Sequence, residues 1–102
     1  MWVIAVYDCP MTTDEERHDY TVFRKRLLQE NFAQLQYSLY VRHFPTMAVA
    51  EATIQRLKQH IPPNAEVAFF LVTDKQYAMT REYFGPKSTN KKPDAPEQIE
   101  LF

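Results

Sequence analysis

The stretch Trp2-Val3-Ile4-Ala5-Val6-Tyr7-Asp8-Cys9-Pro10 decides the fold. Trp2 to Tyr7 is a compact apolar run, rich in β-branched and aromatic residues. It is too short for a free-standing helix and predicts a buried strand. Asp8-Cys9-Pro10 ends it. Downstream, Thr13-Asp14-Glu15-Glu16 has the spacing of a capping box, with acids in the first turn where the helix dipole favours them. Tyr20, Phe23, Leu27 and Leu28 then form one apolar helical face to about Glu30, with Arg24-Lys25-Arg26 in its C-terminal half.

Residues 34–42 alternate: Leu35, Tyr37, Leu39 and Val41 on one side, Gln34, Gln36, Ser38, Tyr40 and Arg42 on the other. That period predicts one long, bent strand or two short ones joined by a bulge. Phe44-Pro45-Thr46 opens a second helix with a stripe of Ala50, Ile54, Leu57 and Ile61, and Pro62-Pro63-Asn64 ends it. Val67 to Val72 predicts a second buried strand, residues 74–79 a turn or helical turn, and residues 79–84 a further short strand. The expected division is a domain over 1–84, a linker over 85–96, and a C-terminal strand or docking tail over 97–102. Two helices on one face of an antiparallel sheet make an α+β fold of the ferredoxin-like type, βαββαβ. Its crossovers are expected to bring the first and last core strands side by side at the sheet centre.

A chain of 102 residues makes one domain. Aromatic content of 14% is high enough to serve an interface as well as a core. One cysteine, Cys9, excludes an internal disulfide or a thiolate cluster and suits a reducing compartment. No basic leader and no run of membrane-spanning length stands out, so the expectation is a cytoplasmic protein with no membrane partner. The net charge of −1 is not that of a globally basic nucleic-acid binder. From Arg56 to Lys92, however, seven basic residues face three acidic ones, so a local basic face is expected.

Asp8 is the sharpest candidate for chemistry. It lies where the first strand meets a loop, and a carboxylate there either caps the turn or binds a hard divalent cation. One carboxylate alone is not a metal site, but a symmetric dimer supplies a second. His18, His43 and His60 are dispersed without ligand spacing. Cys9 stands beside Asp8, whose charge disfavours a thiolate. Arg17, Arg24, Lys25, Arg26 and Arg42 are candidates for phosphate contact, or a solvated helical face. Tyr37, Tyr40 and Phe44 are candidates to stack on bases, or core. With Gly85 the only glycine, a glycine-rich phosphate loop is excluded.

The runs Val3-Ile4-Ala5-Val6-Tyr7-Asp8-Cys9-Pro10, Phe23-Arg24-Lys25-Arg26-Leu27-Leu28 and Gln36-Tyr37-Ser38-Leu39-Tyr40 have a telling order and spacing. With Arg17, Tyr20, the Pro62-Pro63 step and Thr73-Asp74-Lys75-Gln76-Tyr77, they resemble the CRISPR-associated protein two family over about residues 1–84. The likeness is strongest to the forms found beside single-effector type II systems. The resemblance implies a ferredoxin-like homodimer whose C-terminal strand is added across the interface. It implies a spacer-acquisition protein that bridges dimers of the CRISPR integrase and holds prespacer DNA. It also implies a metal-dependent endonuclease on single-stranded RNA or double-stranded DNA, with one Mg²⁺ shared between the two copies of Asp8. By the same resemblance Arg17 and Arg24 fall on or near the family's basic positions; with Lys25 and Arg42 they are expected to meet nucleic acid, and Tyr7, Ser38, Tyr40, Ile99, Leu101 and Phe102 are expected at the dimer interface. Two alternatives stay open: a ferredoxin-like RNase of toxin type, and a non-catalytic protein docking on a sliding clamp. Gln98-Ile99-Glu100-Leu101-Phe102 resembles a clamp-docking peptide, though its alternation equally suits a dimer strand.

Overall fold

The computed structural model describes residues 1–88. Its elements run β1 (Trp2–Asp8), α1 (Asp14–Gln29), β2 (Ala33–Gln36), β3 (Leu39–His43), α2 (Met47–Lys58), β4 (Glu66–Val72) and α3 (Asp74–Ala78). The sheet order is β2-β3-β1-β4, and every neighbouring pair is antiparallel. This is the ferredoxin-like arrangement: each long helix links two strands that are separated by a third. None of the described helices is long and apolar enough to cross a membrane.

Local chemistry sets the boundaries. Thr13 caps α1 by accepting from the Glu16 N–H at 3.1 Å, and the Glu16 carboxylate accepts from the Thr13 N–H at 3.1 Å, the reciprocal box expected from sequence. At its far end Asn31 takes a positive φ of 64°. Its N–H donates to the Leu28 carbonyl and the Phe32 N–H to the Leu27 carbonyl, both at 3.0 Å. That is a Schellman stop with asparagine in the glycine position. The same device of Thr cap and Gln76 builds α3 after Thr73.

The core lies between the sheet and the two long helices. Val3, Ala5 and Tyr7 of β1 and Tyr40 of β3 face Phe23 and Leu27 of α1, Phe32, Phe44, and Ala50 and Leu57 of α2. The expected α2 stripe is shifted: Thr53 is fully buried, while Ile54 and Ile61 are half-buried against the core. Thr53 is accommodated because its hydroxyl donates to the Val49 carbonyl at 3.0 Å. A second, smaller cluster lies on the opposite face of the sheet, where Tyr77 of α3 covers Trp2, Leu35 and Val41.

Three expectations are corrected. Residues 34–42 hold two short strands, as one of the two readings had it, but a hairpin turn at Tyr37-Ser38, with Ser38 at φ 63°, joins them, and the register irregularity lies within β2 between Gln34 and Gln36. β4 does neighbour β1, but it sits at the sheet edge and not at the centre, so Val67, Phe69 and Leu71 are only half-buried. Residues 79–84 form no strand, and Met79 and Tyr83 are 72% and 78% exposed. The predicted linker begins within the description, but its residues from 89 onward and all of 97–102 lie outside the described residues.

Candidate functional site

Because β1 alternates, Val3, Ala5 and Tyr7 enter the core while Trp2, Ile4, Val6 and Asp8 take the other face. At the Trp2 end that face is covered by α3. The Trp2 and Tyr77 rings stack at 3.9 Å between centroids, and His43 meets Trp2 edge-on at 5.2 Å. From Ile4 toward Asp8 the face is open, with Phe70, opposite Ile4, 53% exposed and Val6 36% exposed. Asp8 ends β1 exposed, and its side chain makes no hydrogen bond or ion pair among the described residues. It therefore caps no turn.

Register gives Asp8 a companion. It pairs with Glu66, the first residue of β4, and directly opposed residues of an antiparallel pair project to the same face. Glu66 is exposed and likewise without a side-chain partner among the described residues. Like charges directly opposite one another are unfavourable, so the sheet carries an uncompensated acidic pair beside an apolar patch. Carboxylate oxygens are the donor type that Mg²⁺ takes. Among the described residues of one chain, no group of three or more His, Cys, Asp or Glu is placed to hold a metal. Cys9, next in sequence, is half-buried. Burial pushes its thiol pKa up, and the charges of Asp8 and Asp19 push it further, which disfavours the nucleophilic thiolate.

The other predicted residues divide. Tyr7 and Tyr40, expected at a dimer interface, are 3% and 0% exposed and lie in the core instead. The Tyr7 ring packs on Phe23 at 5.3 Å and on Tyr40 at 5.8 Å. The reason is parity: Ala5 pairs with Tyr40, so both point to the helices, and burial raises the Tyr7 pKa. Ser38 is half-exposed in the hairpin turn, and its carbonyl accepts from the Tyr7 N–H at 3.2 Å. Ile99, Leu101 and Phe102 lie outside the described residues.

Of the base-stacking candidates, Phe44 is core and Tyr37 is 69% exposed. Arg42 serves the fold: it donates to the Glu30 carbonyl at 2.8 Å and lies 4.2 Å over the Phe44 ring. Beside it, Arg56 grips the Glu30 carboxylate with two hydrogen bonds of 2.8 and 2.9 Å, which hold that carboxyl below its ordinary range. Arg17 reaches Asp14 and the Met11 carbonyl. Arg24 and Lys25 have no such partners among the described residues. Sequence reasoning missed Glu66, Val6 and Phe70. The signal was the β1–β4 pairing, which a register of Asp8 against the start of the last strand would have supplied.

The class is therefore a ferredoxin-like domain with one sheet face partly uncovered and a free strand-end carboxylate upon it. The family described as CRISPR associated protein Cas2 matches residues 1–80, and the chain belongs to that family. A relative from Parvibaculum lavamentivorans, named CRISPR-associated endoribonuclease Cas2, is 38% identical over 102 residues, the full length of both chains. One of the same name from Flavobacterium psychrophilum is 32% identical over 103 residues, covering 100% of this chain and 88% of that one. The crystal structure of Cas2 from Streptococcus pyogenes superposes with a TM-score of 0.63 at 22% identity, over 82% of this chain and all of that one. That likeness speaks to the fold.

Proposed function

We propose that this chain acts as a homodimer in CRISPR adaptation, bridging integrase dimers and holding prespacer DNA. We further propose that the same dimer is a Mg²⁺-dependent endonuclease on single-stranded RNA or double-stranded DNA. The observation that carries this reading is the Asp8 carboxylate, exposed and without a partner among the described residues, on the open sheet face that Val6 and, further along, Phe70 share. An apolar patch at a sheet end suits a second copy, and a two-fold axis there brings a second Asp8 toward the first. Asp8 would hold the metal from each subunit, with Glu66 at its side. The bound ion would supply charge neutralisation at the phosphodiester and an activated water. The chain's own part is to hold a hard-oxygen donor at a strand end. Arg24 and Lys25 on α1, without partners among the described residues, and the half-exposed Arg17 are the groups for backbone phosphates. The family's naming as an endoribonuclease in relatives supports the catalytic part.

Two assays separate the roles. Purified protein and Asp8→Asn are incubated with single-stranded RNA and with duplex DNA, with Mg²⁺ or EDTA. Loss of cleavage in both the variant and the EDTA arm is expected, and equal cleavage by the variant would remove Asp8 as the ligand. In cells lacking the gene, array expansion is expected to stop and to return with either wild type or Asp8→Asn. Normal expansion in the null strain would end the adaptation reading.

A further inference from the structure

Of the aromatic residues that the sequence offers for base stacking, Tyr40 and Phe44 are core, while Tyr37 stays in water at 69% exposure, and the function above does not use it. Its side chain is nonetheless held. The ring lies nearly parallel to that of Tyr20 on α1, with 6.3 Å between centroids and 23° between planes. The hydroxyl donates to the Met11 sulfur at 3.8 Å. The turn that carries Tyr37 is pinned as well: the Ser38 carbonyl accepts from the Tyr7 N–H at 3.2 Å. A ring fixed at the surface in this way has already lost much of the freedom that binding would otherwise remove.

Cationic donors stand beside it. The Arg17 guanidinium donates to the carbonyl of Met11, the residue whose sulfur holds Tyr37. It also reaches Asp14, and an arginine has further N–H groups to offer. Arg17 precedes Tyr20 by three positions and Arg24 follows it by four, so the three share one stripe of α1. Arg24 has no partner among the described residues. An aromatic surface beside such groups suits a nucleotide, with the base on the ring and the phosphates on the arginines. A base inside a duplex has a neighbour on each face and must be unstacked before it can meet a protein ring. The arrangement therefore favours an unpaired base. It stands at the Asp8 end of the sheet, because the Tyr7 N–H that pins the turn belongs to the residue before Asp8.

We propose that Tyr37 is the stacking platform for one unpaired base of a single-stranded nucleic acid, with Arg17 and Arg24 on the flanking phosphates. The platform rests on the nucleic-acid reading above and deepens it, by giving single strands a contact that an intact duplex cannot make.

The test is fluorescence anisotropy in EDTA with a labelled single-stranded oligodeoxynucleotide, an abasic strand of the same length, and the duplex. The full chain is used as wild type, Tyr37→Phe and Tyr37→Ala. Wild type and Tyr37→Phe are expected to bind the strand alike, and Tyr37→Ala roughly tenfold more weakly, with affinity for the abasic strand and the duplex unchanged. If wild type binds the strand and Tyr37→Ala binds it equally well, the platform falls while the nucleic-acid reading stands. If wild type binds none of the three, that reading falls and the platform with it. An equal loss on the abasic strand or the duplex, or a loss in Tyr37→Phe, overturns the assignment to the ring face. Light scattering covers the other occupant: a wild-type dimer that becomes a monomer in Tyr37→Ala would make the ring a contact between copies and overturn the proposal. Ultraviolet cross-linking of wild type to the strand gives a second reading. A nucleotide adduct on Tyr37 is expected, and adducts confined to other residues count against the platform.

Discussion

Replacing Tyr77 with alanine tests whether the five-residue helix α3 is a structural part of the domain. Tyr77 is 3% exposed and stacks on Trp2 with rings 12° apart. Truncating a buried aromatic to alanine costs roughly 3–5 kcal/mol, of which about 0.5–1.5 kcal/mol reflects ring stacking beyond area. A domain of this size has about 5–15 kcal/mol in hand, so the variant is expected to fold but to melt roughly 15–25 °C lower. Trp2 is the single tryptophan, so its fluorescence reports directly on the site. Urea unfolding should give a lowered midpoint, and emission from the native variant should shift to the red as water reaches the indole. Tyr83→Ala is the control: at 78% exposure it is expected to change stability by less than about 0.5 kcal/mol. A loss below about 1 kcal/mol for Tyr77→Ala, with unshifted native emission, would refute the packing of α3 on the sheet.

Three further outcomes follow from other parts of the molecule. Without divalent cations, Asp8→Asn is expected to melt at or slightly above the wild-type temperature, because it removes one of two opposed carboxylates. Added Mg²⁺ should raise Tm in wild type and not in the variant, as differential scanning fluorimetry will show. Asn31→Gly should stabilise by roughly 0.5 kcal/mol, and Asn31→Val should cost about 1–2 kcal/mol, since φ at 64° suits glycine and repels β-branching; urea midpoints decide. Glu30 is held below its ordinary pKa first by the Arg56 hydrogen bonds, and Asp74 by the amino terminus and then His43. A carboxyl depressed in the folded state contributes fully above its unfolded pKa of about 4, and the contribution is lost as pH falls through the folded value. Thermal stability should therefore be flat near neutrality and decline below about pH 4, less steeply in Glu30→Gln.

Secondary structure was legible wherever one local rule dominated. The apolar run of β1, the Thr13 box and the prolines after α2 each fix an element through chemistry within a few residues. The hairpin was not legible because its turn, Tyr37-Ser38, has neither Gly nor Asn. A register shift between Gln34 and Gln36 also lets Leu35, Leu39 and Val41 keep one face, so the alternation runs through the turn unbroken. Alternation separates two faces without saying which is covered, and Tyr7 and Tyr40, expected at an interface, belong to the core. The apolar character of β4 likewise suggested a central strand, although it is an edge strand whose Val67, Phe69 and Leu71 face the core while Phe70 lies on the open face. At the site, Asp8 could be found from its strand-end position. Glu66 lies 58 residues away and joins it only through the β1–β4 register, which no local pattern encodes.

The strand order also governs how the chain can acquire its shape during synthesis. β1 is made first, yet its partners are β3 and β4, with Trp2 facing His43 on one side and Val72 on the other. No hydrogen-bonded neighbour for β1 exists until residues 39–43 of β3 have been made, and the second is missing until residues 66–72 of β4 follow. Contacts so distant in sequence slow folding, because the loop-closing entropy is spent before any pairing is gained. The most apolar segment of the nascent chain is therefore the one kept waiting longest. A ribosome stalled before residue 66 should hold a chain whose β1 is accessible to trigger-type chaperones, and one stalled well past residue 72 should not.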